Sequence, residues 1–176
     1  MNKSTNIRLA CVEDGLDNTG FRKIAAFIKT INPNTTVAYI PTANHRNLVG
    51  VLMEKAGGNL DKNDIYKVAK FMAEGDIAAF SSMTQSSKTV YKIIAEIRNI
   101  NPQTYIIWGG IHAIIQPEDA IKYADAVCTG EGEFAFEIFL DHFEKREDLT
   151  KTPSFWFRKG DDIIKNRNLP LMSPKK

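Results

Sequence analysis

The stretch Tyr105-Ile106-Ile107-Trp108-Gly109-Gly110-Ile111-His112 constrains this chain more than any other. A short, unbroken apolar run reads as a strand buried on both faces, which is the signature of a parallel sheet. Two glycines end it abruptly and let backbone approach a bulky ligand at the carboxyl end of the strand. The pattern returns downstream as Ala126-Val127-Cys128-Thr129-Gly130-Glu131-Gly132-Glu133, and upstream as Ile77-Ala78-Ala79-Phe80-Ser81-Ser82. Three strands thus deliver small and polar residues to one edge of a sheet, and that edge is the expected functional site.

The rest of the chain supplies the helices that such a sheet needs. Ile7 to Val12 reads as a first strand, followed by a polar loop, Glu13 to Gly20. Phe21, Ile24, Ala25, Ile28 and Ile31 recur at helical spacing, with Asn18 or Thr19 as cap, and Asn32-Pro33 ends that helix. Val37 to Ile40 is a second strand. A short helix is expected over Leu48, Val51, Leu52 and Ala56, closed by Gly57-Gly58, and another begins at Asp61 with Ile65, Val68, Ala69 and Met72 on its face. Val90, Ile93, Ile94 and Ile97 mark a long helix closed by Asn101-Pro102. Pro117 to Tyr123 is a short helix with proline in its first turn, and Ala135, Phe136, Phe139, Leu140 and Phe143 face the last one.

Five strands alternating with helices predict an α/β fold: a doubly wound, five-stranded, mainly parallel sheet of flavodoxin-like order 2-1-3-4-5. Phe155-Trp156-Phe157-Arg158 and Ile163-Ile164-Lys165 flank Lys159-Gly160-Asp161 and predict a C-terminal β-hairpin appendage. The expected division is residues 1–150 as one Rossmann-like domain and 151–176 as hairpin and linker towards a further domain. Exposed aromatics in the hairpin would mark a docking face for it.

Charge and composition remove several function classes. The 23 basic and 21 acidic residues give +2, no basis for binding nucleic acid. No apolar run approaches ~20 residues, so no membrane helix is expected, and no signal-type core follows the N-terminus; a cytoplasmic protein is the default. Cys11 and Cys128 lie in strand-like runs as buried, reduced hydrophobes. His45, His112 and His142 are not at metal-ligand spacings, and His142 is expected at the surface. No P-loop, dinucleotide glycine fingerprint or nucleophile elbow is present.

The pocket at the sheet edge is therefore bordered by the first loop, by Ser81 to Thr84, by Gly109 to His112 and by Thr129 to Glu133. Hydroxyls and bare backbone suit a large ligand rich in amides. Glu131 and Glu133 suit the start of a helix and would repel a phosphate dianion.

Gly109-Gly110-Ile111-His112-Ala113, Pro117-Glu118-Asp119-Ala120 and Ala124-Asp125-Ala126-Val127-Cys128-Thr129-Gly130-Glu131-Gly132-Glu133, in this order, resemble the N-terminal cobalamin-binding domain of cobalamin-dependent radical S-adenosylmethionine enzymes. The likeness extends to Phe80-Ser81-Ser82-Met83-Thr84 and to the aromatic hairpin, from Ile7 to about Leu169. It implies cobalamin as cofactor. By position, Ser81, Ser82, Met83 and Thr84 would line the pocket for the nucleotide tail. Gly109, Gly110, Ile111 and His112 would contact the tail or the corrin amides, and Gly130, Glu131 and Gly132 would close the other side. The loop carrying Leu16, Asp17 and Asn18 would face the lower side of the corrin. That loop holds no histidine, so it cannot ligate cobalt as the Asp-x-His-x-x-Gly loop of the methionine-synthase type does. The chain has no Cys-x-x-x-Cys-x-x-Cys motif. An iron–sulfur cluster and S-adenosylmethionine would belong to a radical domain further along a longer chain, and no catalysis is expected from this segment alone. A stand-alone protein for cobalamin storage or delivery, and a flavodoxin-like domain for another cofactor such as flavin mononucleotide, are the alternative readings.

Overall fold

The computed structural model describes residues 4–13, 18–42 and 60–170. The helix expected over Leu48 to Ala56, together with His45, Leu16 and Asp17, lies outside the described residues.

The elements in order are β1 (Ile7–Val12), α1 (Thr19–Ile31), β2 (Thr35–Ile40), α2 (Lys62–Ala73), β3 (Ile77–Ser82), α3 (Ser87–Ile100), β4 (Tyr105–Gly109), α4 (Ile111–Ile115), α5 (Pro117–Ala120), β5 (Ala126–Cys128), α6 (Gly132–Lys145), β6 (Phe155–Lys159) and β7 (Asp162–Lys165). Single 3₁₀ turns precede α3 at Thr84–Ser86 and β6 at Leu149–Lys151. The sheet order is β2-β1-β3-β4-β5-β6-β7, with the first five strands parallel. The flavodoxin-like order predicted from the sequence is thus the observed one. The hairpin continues the same sheet: β6 pairs antiparallel with β5, Val127 opposite Trp156, and β7 pairs with β6.

Strand alternation divides the core in two. Ile7, Leu9, Cys11, Ile77, Ala79 and Ile107 face α1 and α6, whereas Ala10, Val12, Ala78, Phe80, Ile106 and Trp108 face α2, α3 and the short helices. Phe155 and Phe157 are buried and stack on Phe139 of α6 at 5.3 and 6.4 Å. Trp156 is half-buried beneath the Lys165 ammonium, 4.0 Å from the ring centroid. Phe155 and Phe157 are therefore core side chains and not docking groups, while Trp156 packs half-buried against the core on the other face of the sheet. His142, expected at the surface, is half-buried there, with Nδ1 3.1 Å from Thr152 Oγ1.

The two Asn-Pro joints repeat one chemistry. Asn32 caps α1, accepts from Asn34 N–H at 2.9 Å and donates Nδ2 to the Thr5 carbonyl at 2.9 Å. Asn101 caps α3, accepts from Gln103 N–H at 3.2 Å and donates to the Ala73 carbonyl at 3.0 Å. Each joint stops a helix and delivers the next strand into the sheet, so all five parallel strands end at the same edge.

Candidate cofactor site

That edge opens into a cavity of about 330 Å³ between the sheet and helices α1 and α6. Leu9, Ala79 and Ile107 supply its floor from three adjacent strands, and Phe21, Ile24, Ile28 and Phe136 supply apolar walls from the two helices. Its polar groups belong to the strand ends and the first turns of the helices: Glu13, Asn18, Lys23, Ser81, Glu131 and Glu133. An apolar depth with a few convergent polar groups is the usual make-up of a small-molecule site.

The period of two along β3 separates the two serines that the sequence placed together. Ser81 follows Ile77 and Ala79 onto the cavity side. The Ser82 side chain follows Ala78 and Phe80 to the other face, where its Oγ accepts the Trp108 indole N–H at 3.0 Å. Ser82 still borders the cavity. Its Oγ is engaged by the tryptophan on the face away from the cavity, so the hydroxyl does not point into the cavity as that of Ser81 does.

Gly110 is the tightest point of the wall. Its φ of +83° with ψ of −174° lies in a region that is essentially restricted to glycine. A Cβ there would stand 2.6 Å from Ser81 Oγ and 2.9 Å from the Ser82 amide nitrogen. The chain from β4 is therefore pressed against the end of β3, and α4 begins directly after it. Ile111 and Ile114 of α4 border the cavity while remaining 46% and 48% exposed, and with Met83 they form an apolar lip.

Across the mouth, Asn18 caps α1 by accepting the Phe21 N–H at 2.7 Å and donates Nδ2 to Glu13 Oε1 at 2.7 Å. Glu13 Oε2 is buried and has no hydrogen-bond partner among the described residues. An unpaired buried carboxylate oxygen carries a desolvation penalty that a ligand N–H or O–H would relieve. The Cys11 thiol lies beside these groups, and burial, then the Glu13 charge, pushes it up to about 12. Cys128, on the cavity wall, is pushed up to about 11 by burial. Both are neutral thiols at physiological pH. Among the described residues, no cluster of three His, Cys, Asp or Glu side chains is placed to hold a metal ion.

On the β5 side, a segment after the hairpin folds back onto the rim. Asn168 Nδ2 donates to the Thr129 carbonyl at 3.2 Å, and Thr129 Oγ1 donates to Asn168 Oδ1 at 2.8 Å. A Cβ on Gly130 would meet Ser154 Oγ at 3.0 Å and Asn168 Cγ at 3.2 Å. Lys23 of α1 reaches Glu133 of α6 at 2.9 Å and ties the two helices together at the opening.

Of the residues expected from sequence, Asn18, Ser81, Ser82, Met83, Gly109, Gly110, Ile111, Gly130, Glu131 and Gly132 border one cavity. Thr84 and His112 do not. Thr84 is exposed in the 3₁₀ turn. His112 is 1% exposed and packs on the other face of the sheet, with its ring 4.9 Å from Trp108. Reading Gly109 to His112 as one pocket loop missed the helical turn of α4, which carries Ile111 and His112 to opposite sides. Sequence reasoning also passed over Ile24, Ile28, Ile107 and Phe136, because a residue lining a cavity and a residue filling a core have the same periodicity.

Comparison with known proteins decides between cofactors. A family model described as "B12 binding domain" matches residues 49–140.

The chain belongs to the B12-binding domain family.

Cobalamin is the cofactor this membership assigns. A curated relative, the "uncharacterized methyltransferase PH0819" of Pyrococcus horikoshii, is 26% identical over 152 residues, covering 85% of this chain and 33% of the relative. The fold is shared with the radical S-adenosylmethionine methyltransferase TsrM from Kitasatospora setae, solved with cobalamin and a [4Fe-4S] cluster bound: TM-score 0.65, 12% identity, 97% of this chain and 30% of that one. It is shared also with the cobalamin-dependent radical enzyme OxsB, solved with aqua-cobalamin: TM-score 0.64, 14% identity, 93% of this chain and 22% of that one. The chain spans a third or less of the length of each of these proteins.

The residues present fit the cofactor. Cobalamin presents an apolar aromatic base on a nucleotide tail and a corrin ring fringed with primary amides. The cavity offers an apolar interior for the base, Glu13 Oε2 as an acceptor with no donor among the described residues, and bare backbone at Gly110 for close approach.

Proposed function

We propose that this chain is the cobalamin-binding module of a longer radical S-adenosylmethionine enzyme, with the nucleotide tail seated in the α1–α6 cavity and the corrin over its mouth. The observation that carries this reading is the cavity itself: apolar in its depth, polar at its rim, and opening at the carboxyl edge of the sheet in a B12-binding chain. Bound cobalamin would supply a cobalt that carries a methyl group or an electron. The protein's own residues do the holding. Phe21, Ile28, Ile107 and Phe136 shield the tail from water, and the hydroxyl of Ser81 and the carboxylate of Glu13 receive its polar atoms. Met83, Ile111 and Ile114 meet the underside of the ring. The rim carboxylates Glu13 and Glu131, with Glu133 paired to Lys23, suit the singly charged phosphodiester of a cobalamin tail better than the dianionic phosphate of flavin mononucleotide.

Cluster and S-adenosylmethionine would be supplied by a domain beyond residue 170. In support, the segment 166–169 returns to the cofactor rim, where Leu169 N–H donates to Ser154 Oγ at 2.8 Å, so a continuing chain starts beside the cofactor. The small share of each matched protein that this chain spans is consistent with that arrangement.

The test is direct. The chain is mixed with hydroxocobalamin, freed of unbound ligand by desalting, and its visible spectrum recorded, in parallel with cobinamide, which lacks the nucleotide tail. The expected result is a retained base-off corrin spectrum with cobalamin and weaker retention of cobinamide. Equal retention of the two would remove the tail from the cavity, and no retention of either would sink the binding reading for this chain.

A further inference from the structure

The residues behind the cavity wall form a hydrogen-bonded chain that the cofactor site does not use directly. His112 Nε2 lies 3.3 Å from the Tyr91 hydroxyl and 3.6 Å from Asp119 Oδ2. The Tyr91 hydroxyl donates to Asp119 Oδ2. Tyr91 stacks on Tyr123 at 4.2 Å and meets Trp108 edge-on at 5.3 Å. Four elements are joined in this way: α3 through Tyr91, α4 through His112, α5 through Asp119 and β4 through Trp108.

Proton counting fixes the direction of the chain. A phenol has one proton, and Asp119 takes it. The Tyr91 oxygen can then only accept from the imidazole, so the His112 proton sits on Nε2. His112 Nδ1 is left as a bare acceptor, and it is indeed buried without a partner among the described residues. The order is Nε2–H of His112 to Oη of Tyr91 to Oδ2 of Asp119. A chain with its direction set in this way has one low-energy arrangement.

His112 is the second residue of α4, and Gly110 immediately precedes that helix. Helix α4 is one short turn, held to the turn by Ile114 N–H donating to the Gly110 carbonyl at 3.1 Å and by Gln116 N–H donating to the His112 carbonyl at 2.7 Å. Five residues cannot hold a helix on their own. On the cavity side α4 offers only Ile111 and Ile114, both half-exposed. Its fixed side chains are on the other face, Ala113 at 0% and His112 at 1% exposure.

We propose that the His112–Tyr91–Asp119 chain is the positioning device of the cofactor site: it locks α4 and the Gly110 turn from behind the sheet, and so fixes the wall and lip that the nucleotide tail passes. The second half of this inference rests on the cobalamin reading; the first half, the locking of the turn, does not.

Tyr91→Phe is the variant of choice, because it keeps the ring, its stack on Tyr123 and its contact with Trp108 while removing the relay oxygen. In the ligand-free protein, the amides of Ile114 and Gln116 are expected to exchange with solvent about tenfold faster in Tyr91→Phe, while those of β1 and β3 keep their protection. With ligand, affinity for cobalamin is expected to fall about tenfold, and affinity for cobinamide, which meets the lip of α4 and not the cavity wall, to fall clearly less. Asp119→Asn, which weakens the same relay, should reproduce both effects, and the double variant should add little to either single one. A general loss of stability would instead accelerate exchange everywhere and weaken both corrinoids in parallel. Unchanged exchange at Ile114 and Gln116 in Tyr91→Phe would overturn the proposal whatever the ligand does. Faster exchange with unchanged cobalamin affinity would overturn its link to the site. Failure of the unsubstituted protein to prefer cobalamin over cobinamide would count against the seating of the tail instead, and leave the locking of the turn to be decided by exchange alone.

Discussion

A methyl group at residue 110 has nowhere to go. The backbone there has φ of +83°, and a Cβ would meet a serine hydroxyl and a backbone nitrogen at under 3 Å. Gly110→Ala is expected to cost about 1–3 kcal/mol from the backbone conformation alone, with the clash added to it. Urea unfolding measures that loss, and desalting with hydroxocobalamin measures the expected loss of corrin retention. The neighbouring Gly109 is different. A Cβ on it would find ordinary contacts, 3.7 Å from Cys128 Cβ, so alanine there should be tolerated and serves as the control. The sequence named both glycines together; only the backbone angles and the packing of β3 tell them apart.

At the scale of elements, the site exists because α1 and α6 stand over three strands without filling the space between. Ala79 lies on the floor of β3, 3% exposed, with the cavity above it. Ala79→Leu places an apolar side chain into existing space instead of forcing a packed core apart, so the usual penalty of overpacking does not apply. The burial of the added carbons favours folding by up to about 2 kcal/mol. The variant is expected to unfold at the same or higher urea concentration and to lose cobalamin. A stable variant that still retains cobalamin would show that the tail does not use this cavity. The sequence legibly marked α1 by Phe21, Ile24 and Ile28 and α6 by Phe136 and Phe139; it left the α1 cap between Asn18 and Thr19 and started α2 at Asp61, and in the structure Asn18 and Asp61 accept the capping backbone N–H groups. It missed α4, since Ile111 to Ile115 is too short to carry a period.

For the molecule as a whole, stability should depend on His112 on the acidic side. Burial holds this imidazole below its ordinary value of 6.5, and the charge of Asp119 opposes that only in part. A folded state that binds fewer protons than the unfolded one loses stability as pH falls. His112 therefore contributes nothing adverse above about pH 6.5 and a growing penalty below it, until its folded pKa is passed. The groups around it are Asp119, whose carboxyl is held low chiefly by the hydrogen bond from Tyr91, Lys122 beside that carboxylate, and the tyrosines Tyr91 and Tyr123. Asp119 adds a loss of the same sign at more acidic pH, below its ordinary 3.8. Urea midpoints measured between about pH 7 and pH 5 should decline in the unsubstituted protein and decline less steeply in His112→Gln. Equal slopes would assign the decline to other groups.

The sequence by itself determined the α/β class, the strand order, and the glycine and serine positions that border the cavity at the carboxyl edge. These follow from local rules: apolar runs, helical periods, Asn-Pro stops, and the handedness that sends successive parallel strands to one side. Tertiary structure alone decided which side of the sheet each edge residue serves. Ser81 and Ser82 are neighbours in sequence and part across the sheet by the pleat; Ile111 and His112 are neighbours and part across a single helical turn. Only the packed fold places His112 behind the wall, beside Tyr91 and Trp108, and leaves the space between α1 and α6 open. A hydrophobic pattern specifies that a side chain faces inward, and it carries no information on whether inward meets another side chain or a ligand.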